Sequence, residues 1–360
     1  MKVIHCADIH LDSKMEANLT KEQAKQRKDE LLLTFCAMVE YGATQDVRVI
    51  IVAGDLFDTK HVTAKTRKIV LDAVNAHPEI DFLYLRGNHD EEEGLWGEED
   101  ELPSNLKRFG NDWTSYEYDN VNICGVELCK ENNLRIYNTL YLNQNQVNIV
   151  VLHGQESNYH GKEQSEIINL RELANKNIDY LALGHLHSYK LQKLDKRGVY
   201  CYAGCLEGRG FDECGEKGFV LLEVSEEGVL PHFMPFAKRT LYEVPIDLTG
   251  LVSSYDIENA ISTSLLEIPK ESLVKIILEG SVEVETMKDV DYLTKKFAED
   301  YFFLKIYDRT RLELHIEDYQ NDISLKGEFI RMVLAERIPE EKKNRIIMNG
   351  IKALSGEELI

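Results

Sequence analysis

Five short apolar runs, each ending abruptly in acid, amide or imidazole side chains, constrain this chain more than any other feature: VIHCADIH, VIIVAGDLFD, FLYLRGNHD, IVVLHG and YLALGHLH. Runs of this kind read as strands, and helical patterns alternate with them through the first half of the chain. That alternation predicts an α/β fold. In open α/β sheets ligands sit beyond the carboxyl ends of the strands. The five endings are therefore expected to converge on one pocket, far apart in sequence as they are.

Near residue 240 the pattern changes. PHFMPFAKRT (231–240) reads as a connector, after which Tyr242, Val244, Ile246 and Leu248 alternate as in a half-buried strand. Ile257, Ala260, Ile261 and Leu265 share one helical face, with Ser253 and Asp256 as its capping box. SLVKIILEG is a second strand, DVDYLTKKFAED a second helix and YFFLKIYD a third strand. A small βαβαβ domain over 241–316 follows. The stretch 325–354 predicts two amphipathic helices divided near Pro339, with Ile330, Leu334 and Ile338 recurring at i+4, as do Ile347 and Ile351. Its charge is locally reversed, seven Lys/Arg against four Glu. Such helices either pack on their own protein or dock a partner. The 360 residues thus divide into domains 1–237 and 241–316 and a helical tail, 325–360.

Composition sets limits. A hydrophobic content of 43% argues against disorder, and no apolar run approaches the roughly 18 residues of a membrane span. MKVIHCADIH lacks the apolar core of a signal peptide, so a cytoplasmic address is the expectation. Seven cysteines, an odd number without disulfide-like spacing, agree with it. Cys201, Cys205 and Cys214 fall close together, but their spacing fits no zinc knuckle and they read as core residues. The net charge of −21 repels nucleic acid at long range. Any nucleic-acid function then needs local positive charge, bound metal or a partner.

Asp8 and His10 stand one residue apart, and His185 and His187 repeat that spacing. Asp55 opens GDLFD, Asn88 lies in GNHD, and His153 ends its own run. Oxygen and imidazole ligands without thiolate suit Mn²⁺, Fe²⁺ or Zn²⁺ better than an all-oxygen Ca²⁺ site.

DxH, GDxxD, GNHD, an H-G step and GHxH, in this order, resemble the calcineurin-like metallophosphoesterases over roughly residues 1–235. The resemblance implies an αββα sandwich and a dinuclear metal centre. Asp8, His10, Asp55 and His187 would bind one ion; Asp55 would bridge to a second, held also by Asn88, His153 and His185. Two dications bring about four positive charges, of which Asp8 and Asp55 cancel about two and the neutral Asn88 none. Positive charge is left for hydroxide and a phosphate ester. His89 is implied as the acid or transition-state stabiliser for the leaving oxygen, with Asp58 orienting it.

HCADIHLDS, AGDLFD, ALGHLHS and YAGCLEGRGFDECGEKGFVLLEV narrow the resemblance to the DNA repair nucleases of the SbcD and YhaO type. The module after the catalytic domain resembles the capping domain of that branch. The branch implies a manganese-dependent 3′→5′ exonuclease and endonuclease on DNA, a homodimer, and a coiled-coil ATPase partner of SbcC type. The absence of a nucleotide-binding P-loop agrees, since an ATP-driven step then belongs to another chain. Lys190 and Arg209 are candidate phosphate contacts or else structural ion-pair residues. In DEEEGLWGEEDE the acids form either a solvated loop or an electrostatic gate against misplaced DNA, with Trp96 as a stacking face. Two rival functions are a phosphatase or phosphodiesterase for nucleotides and other small esters, and a scaffold that has lost catalysis.

Overall fold

The chain, seen here in a computed structural model, is described over residues 1–15, 18–58, 62–90, 96, 102–157, 166–283, 286, 288–312 and 322–354. It divides between Thr240 and Leu241 into two units. The first contains β1 (Lys2–Cys6), α1 (Lys21–Thr44), β2 (Val47–Ala53), α2 (Ala64–Ala76), β3 (Asp81–Leu85), β4 (Leu106–Arg108), β5 (Thr114–Tyr118) and β6 (Val121–Gly125). It continues through α3 (Ile136–Thr139), β7 (Val147–His153), β8 (Gln155–Ser157), β9 (Ile167–Asn169), α4 (Leu170–Leu173) and β10 (Tyr180–Gly184). β11 (Lys190–Lys193), β12 (Val199–Tyr202), β13 (Gly218–Ser225) and β14 (Gly228–Pro235) complete it.

Two six-stranded sheets result, in the orders β14-β13-β1-β2-β3-β4 and β11-β12-β10-β7-β6-β5. β1 to β4 run parallel in the first, and β6, β7, β10 and β12 in the second. Side-chain alternation explains the unbroken apolar runs. Val3, Val49, Ile51, Leu83, Ile149, Val151 and Ala182 fill the space between the sheets. Their neighbours Ile4, Ile50, Val52 and Phe82 face outward onto α1 and α2. Helix α1 begins at a reciprocal capping box of Thr20 and Gln23 and buries Leu31, Phe35, Met38 and Val39 on one face. The outer face of the second sheet carries a thinner layer. Leu152, Leu181 and Leu183 are covered by Ile136, Tyr137, Leu170 and Leu173, from the one-turn helices α3 and α4 and the chain around them.

Trp96 lies within this frame, not on the surface. It is 6% exposed and stands edge-on to Phe57 and Tyr84, with ring centroids 5.4 and 5.3 Å away. The expectation of an exposed stacking face is corrected: the indole packs against Phe57 and Tyr84, where no base can reach its face. Residues 91–95 and 97–101, the rest of the acidic run, lie outside the described residues. No disulfide joins any of the seven cysteines, all of them among the described residues, with Cys201 in the core between the sheets and Cys205 buried.

In the second unit β15 (Leu241–Asp247), β16 (Leu273–Glu279) and β18 (Phe303–Asp308) form a parallel sheet, with β17 (Ser281–Val282) and β19 (Arg311–Leu312) pairing separately. Helices α5 (Ser254–Ser264) and α6 (Val290–Ala298) cover one face, packing Ile257, Ile261, Leu293 and Phe297 on Ile246, Ile276 and Ile306. Ser253 caps α5 and accepts the Asp256 N–H at 3.1 Å. Helices α7 (Leu325–Ala335) and α8 (Glu340–Leu354) meet at Ile330, Val333 and Ile347. No helix among the described residues is long and apolar enough to cross a membrane.

Candidate metal centre

The chain turns sharply where the parallel strands end. φ is positive at Asp8 (51°), His10 (52°), Asp55 (53°) and His185 (105°), a region that costs a side-chain-bearing residue on the order of 1 kcal/mol or more. The turns hold one another. The Asp8 N–H donates to Gly54 O at 3.1 Å and the His10 N–H to Asp55 O at 2.9 Å, so the loop after β1 stays paired with the loop after β2. The Asp8 carboxylate accepts the His185 N–H at 2.9 Å, joining the two sheets, and Asp55 Oδ1 accepts the His89 N–H at 2.9 Å. Glycine is required where the sheets approach: a Cβ on Gly184 would stand 1.9 Å from Ala53 O, and one on Gly54 2.1 Å from His153 Nδ1.

These turns gather the expected ligands. Potential ligand atoms of Asp8, His10 and His187 lie within 4.8 Å of one another, as do those of Asp8, Asp55 and His153, and those of His10, Asp58 and His89. Asn88 Oδ1 lies 3.0 Å from His153 Nε2, and the His185 ring stands edge-on to His153 with centroids 5.5 Å apart.

Tautomers test whether a cation fits. Two groups meet His187 Nδ1, the Glu213 Oε1 acceptor at 2.6 Å and the Arg209 Nη2 donor at 3.1 Å; the closer carboxylate, which can only accept, favours the proton on Nδ1 and the lone pair on Nε2. Asp58 Oδ1 lies 3.2 Å from His10 Nδ1, near although poorly aligned for a hydrogen bond, and favours the same tautomer. The two Nε2 atoms then face each other, lone pair to lone pair, at 3.2 Å. His153 repeats the pattern: Nδ1 donates to Ala53 O at 2.9 Å, while Nε2 confronts Asp55 Oδ2 at 3.4 Å and Asn88 Oδ1. Such confrontations persist only if an extra proton or a metal lies between them. Imidazoles fixed through the far nitrogen, converging with carboxylates, fit divalent metal.

The charges agree. Burial, with Asp55 beside it, pushes the Asp8 carboxyl up from its ordinary value. Burial alone would lower His153, but Asp55 and Asp8 outweigh it and raise the imidazole to about 9. Burial opposes ionisation of Asp55 too, yet His153 draws it down to about 2. Without metal, the site thus satisfies itself with a proton that a cation would replace. His89 differs from the rest. Its ring is 44% exposed, its Nδ1 lies 2.8 Å from Asp58 Oδ1, and that hydrogen bond raises its pKa.

Lys190 and Arg209 are each paired with an acid. Lys190 forms an ion pair with Glu156. Arg209 is 14% exposed and bonds Glu213 through Nη2 at 2.7 Å. Sequence reasoning assigned Glu213 and Asp90 no role. Buried Asp90 accepts N–H groups from Leu56 at 3.1 Å, Phe57 at 2.9 Å and Gly87 at 3.3 Å, lacing GDLFD to GNHD, and burial pushes its carboxyl up to about 6. The available signals were the final Asp of GNHD and the acid four residues after Arg209. Cys205 and Cys214 turn their thiols to backbone carbonyls, Cys205 to His187 O at 3.4 Å and Cys214 to Phe211 O at 3.3 Å.

The sequence profile of the calcineurin-like phosphoesterases matches residues 1–189. The chain belongs to that family. It is accordingly a hydrolase of phosphoester bonds, and the clusters above are the candidate sites for the family's two divalent metals. Among its relatives, the uncharacterized metallophosphoesterase YhaO of Bacillus subtilis is 24% identical over 77% of this chain and 71% of its own length. The DNA double-strand break repair protein Mre11 of Methanosarcina acetivorans is 23% identical over 83% of this chain but only 49% of its own length. SbcD, a component of the nuclease SbcCD of Staphylococcus saprophyticus, is 24% identical over 68% of this chain and 71% of its own length.

Proposed function

We propose that this family member is a manganese-dependent DNA nuclease. The observation that carries the reading is the convergence of ligand atoms at the strand ends, His10 and His187 with their Nε2 atoms 3.2 Å apart and His153 Nε2 3.4 Å from Asp55 Oδ2, a set that divalent cations would suit. The names of the Mre11 and SbcCD relatives support DNA as substrate. Asp8, His10, Asp55 and His187 would hold one ion, and Asp55, Asn88, His153 and His185 the other. Bound there, divalent ions supply Lewis acidity toward the phosphate and the attacking water. The neutral Asn88 binds without adding negative charge. His89, held at Nδ1 by Asp58, presents Nε2 to the substrate and delivers its proton to the leaving oxygen.

A partner ATPase of SbcC type suits the tail. The α7–α8 hairpin buries Ile330 and Ile347 but leaves Leu325 and Met332 exposed, an apolar strip for docking. A homodimer and a cytoplasmic setting complete the reading, the latter supported by seven cysteines that form no disulfide. A second reading, hydrolysis of small phosphodiesters or nucleotides, is favoured by the charge of −21 and by the pairing of Lys190 and Arg209 with acids. The test is Mn²⁺-dependent hydrolysis of end-labelled duplex DNA beside bis(p-nitrophenyl) phosphate. Wild type should degrade the duplex, and His89→Ala should lose about 10²–10⁴ in rate while binding metal as before. Turnover of the small ester alone, with the partner ATPase present, would favour the second reading.

A further inference from the structure

The loop running from Glu207 to Lys217 brings three side chains to His187: Lys217 Nζ donates to its carbonyl at 2.8 Å, and Glu213 and Arg209 meet its ring. Glu213 Oε1 lies 2.6 Å from His187 Nδ1, and the carboxylate is buried. Arg209 grips that carboxylate twice, its backbone N–H donating to Oε2 at 2.7 Å and its Nη2 to Oε1 at 2.7 Å. Nη2 also lies 3.1 Å from His187 Nδ1. On the other side Arg209 Nη1 stands 3.7 Å from Asp58 Oδ2, while Asp58 Oδ1 is the partner of His89 Nδ1 at 2.8 Å. One planar guanidinium therefore stands between two carboxylates that orient imidazoles in the site, Glu213 beside His187 and Asp58 beside His89 and His10.

Exposure and charge decide what such an arginine does. At 14% exposed and facing two carboxylates, it keeps little surface and little uncompensated charge for a substrate phosphate. Charge-assisted hydrogen bonds to Glu213 on one edge of a rigid fork, with an ion pair to Asp58 at 3.7 Å on the other, fix position in a way that a lysine's single point charge cannot reproduce.

We infer that Arg209 and Glu213 are a positioning pair. Glu213 keeps the His187 proton on Nδ1 and so aims Nε2 at the metal, and Arg209 holds Glu213 and Asp58 at a fixed separation. Metal ligand and proton donor thereby keep one mutual geometry. The inference rests on the metal-dependent reading above and adds to it the device that registers its two halves.

Mn²⁺ titration calorimetry on wild type, Glu213→Gln and Arg209→Lys tests it, with kcat and KM measured on bis(p-nitrophenyl) phosphate. Glu213→Gln should bind one of two ions about 10–100-fold more weakly and the other as wild type does. Arg209→Lys should weaken the same ion less and lower kcat with KM unchanged. A raised KM with undisturbed metal binding in Arg209→Lys would make it a phosphate contact and overturn the inference. So would metal affinity that falls only in step with the unfolding temperature of the metal-free protein, the mark of a merely structural role. If wild type itself binds no Mn²⁺, the metal reading goes, and the positioning pair with it.

Discussion

Asp90 shows how a residue with no substrate to touch can decide whether a site exists. Three backbone N–H groups from two catalytic loops end on its carboxylate, out of reach of water. Asp90→Ala strands those donors and should lower stability by about 1–3 kcal/mol, and Asp90→Asn, which keeps one oxygen, by less. Denaturant titration of both variants checks the order; equal losses would mean that the cavity, not the hydrogen bonds, sets the cost. The candidate ligands were legible in the sequence because each closes an apolar run, where a charged or imidazole group has no structural reason to be. Asp90, Glu213 and Trp96 were not. An acid among acids looks solvated until the fold shows which one is buried, and a tryptophan flanked by charge gives no periodicity to place it.

At the scale of elements, close approach of the two sheets is what brings His153 beside Asp55. Gly184→Ala would drive a methyl into Ala53 O and His153 Nδ1, at 1.9 and 2.7 Å, so β10 must back away from β2. Mn²⁺ affinity should drop at least tenfold, to be read by calorimetry, and an unchanged affinity would show that the strand ends yield without moving the ligands. Helix α1 is fastened differently. Arg27 joins Glu30 and Glu207 at 2.8 Å each, and Arg239 reaches Glu30 at 2.7 Å, all buried. Burial alone would raise Glu30, but Arg239 and Arg27 hold it down at about 2 against an ordinary 4.5. A depressed carboxyl contributes stability that is whole above 4.5 and disappears as pH falls toward 2. The gap in unfolding midpoint between wild type and Glu30→Gln should therefore be widest at neutral pH and close across that window. A gap independent of pH would assign the effect to packing. Long strands and helices such as β2 and α1 could be read from apolar period, whereas β8, β9, β17 and β19, of two or three residues each, are set by pairing partners that no local pattern names.

For the whole molecule, two units with separate cores should melt as two calorimetric transitions. Among the described residues, only the first unit holds buried carboxylates and the candidate metal clusters. Mn²⁺ at a hundredfold over its Kd should stabilise that transition by about 2.7 kcal/mol and leave the other unmoved, and a chelator should reverse the shift. A single transition, or two that move together, would mean that the units unfold as one body.

The linkage of Asp8 to His185, across 177 positions of sequence, has a consequence during synthesis. A ribosome adding about 5–20 residues per second releases Asp8 many seconds before His185 exists. β1 also waits for β13, its antiparallel neighbour, which begins at Gly218. The nascent chain thus carries half a ligand set on an open sheet edge until the first unit is complete. A site assembled this way cannot gather its candidate ligands until the whole first unit has been translated.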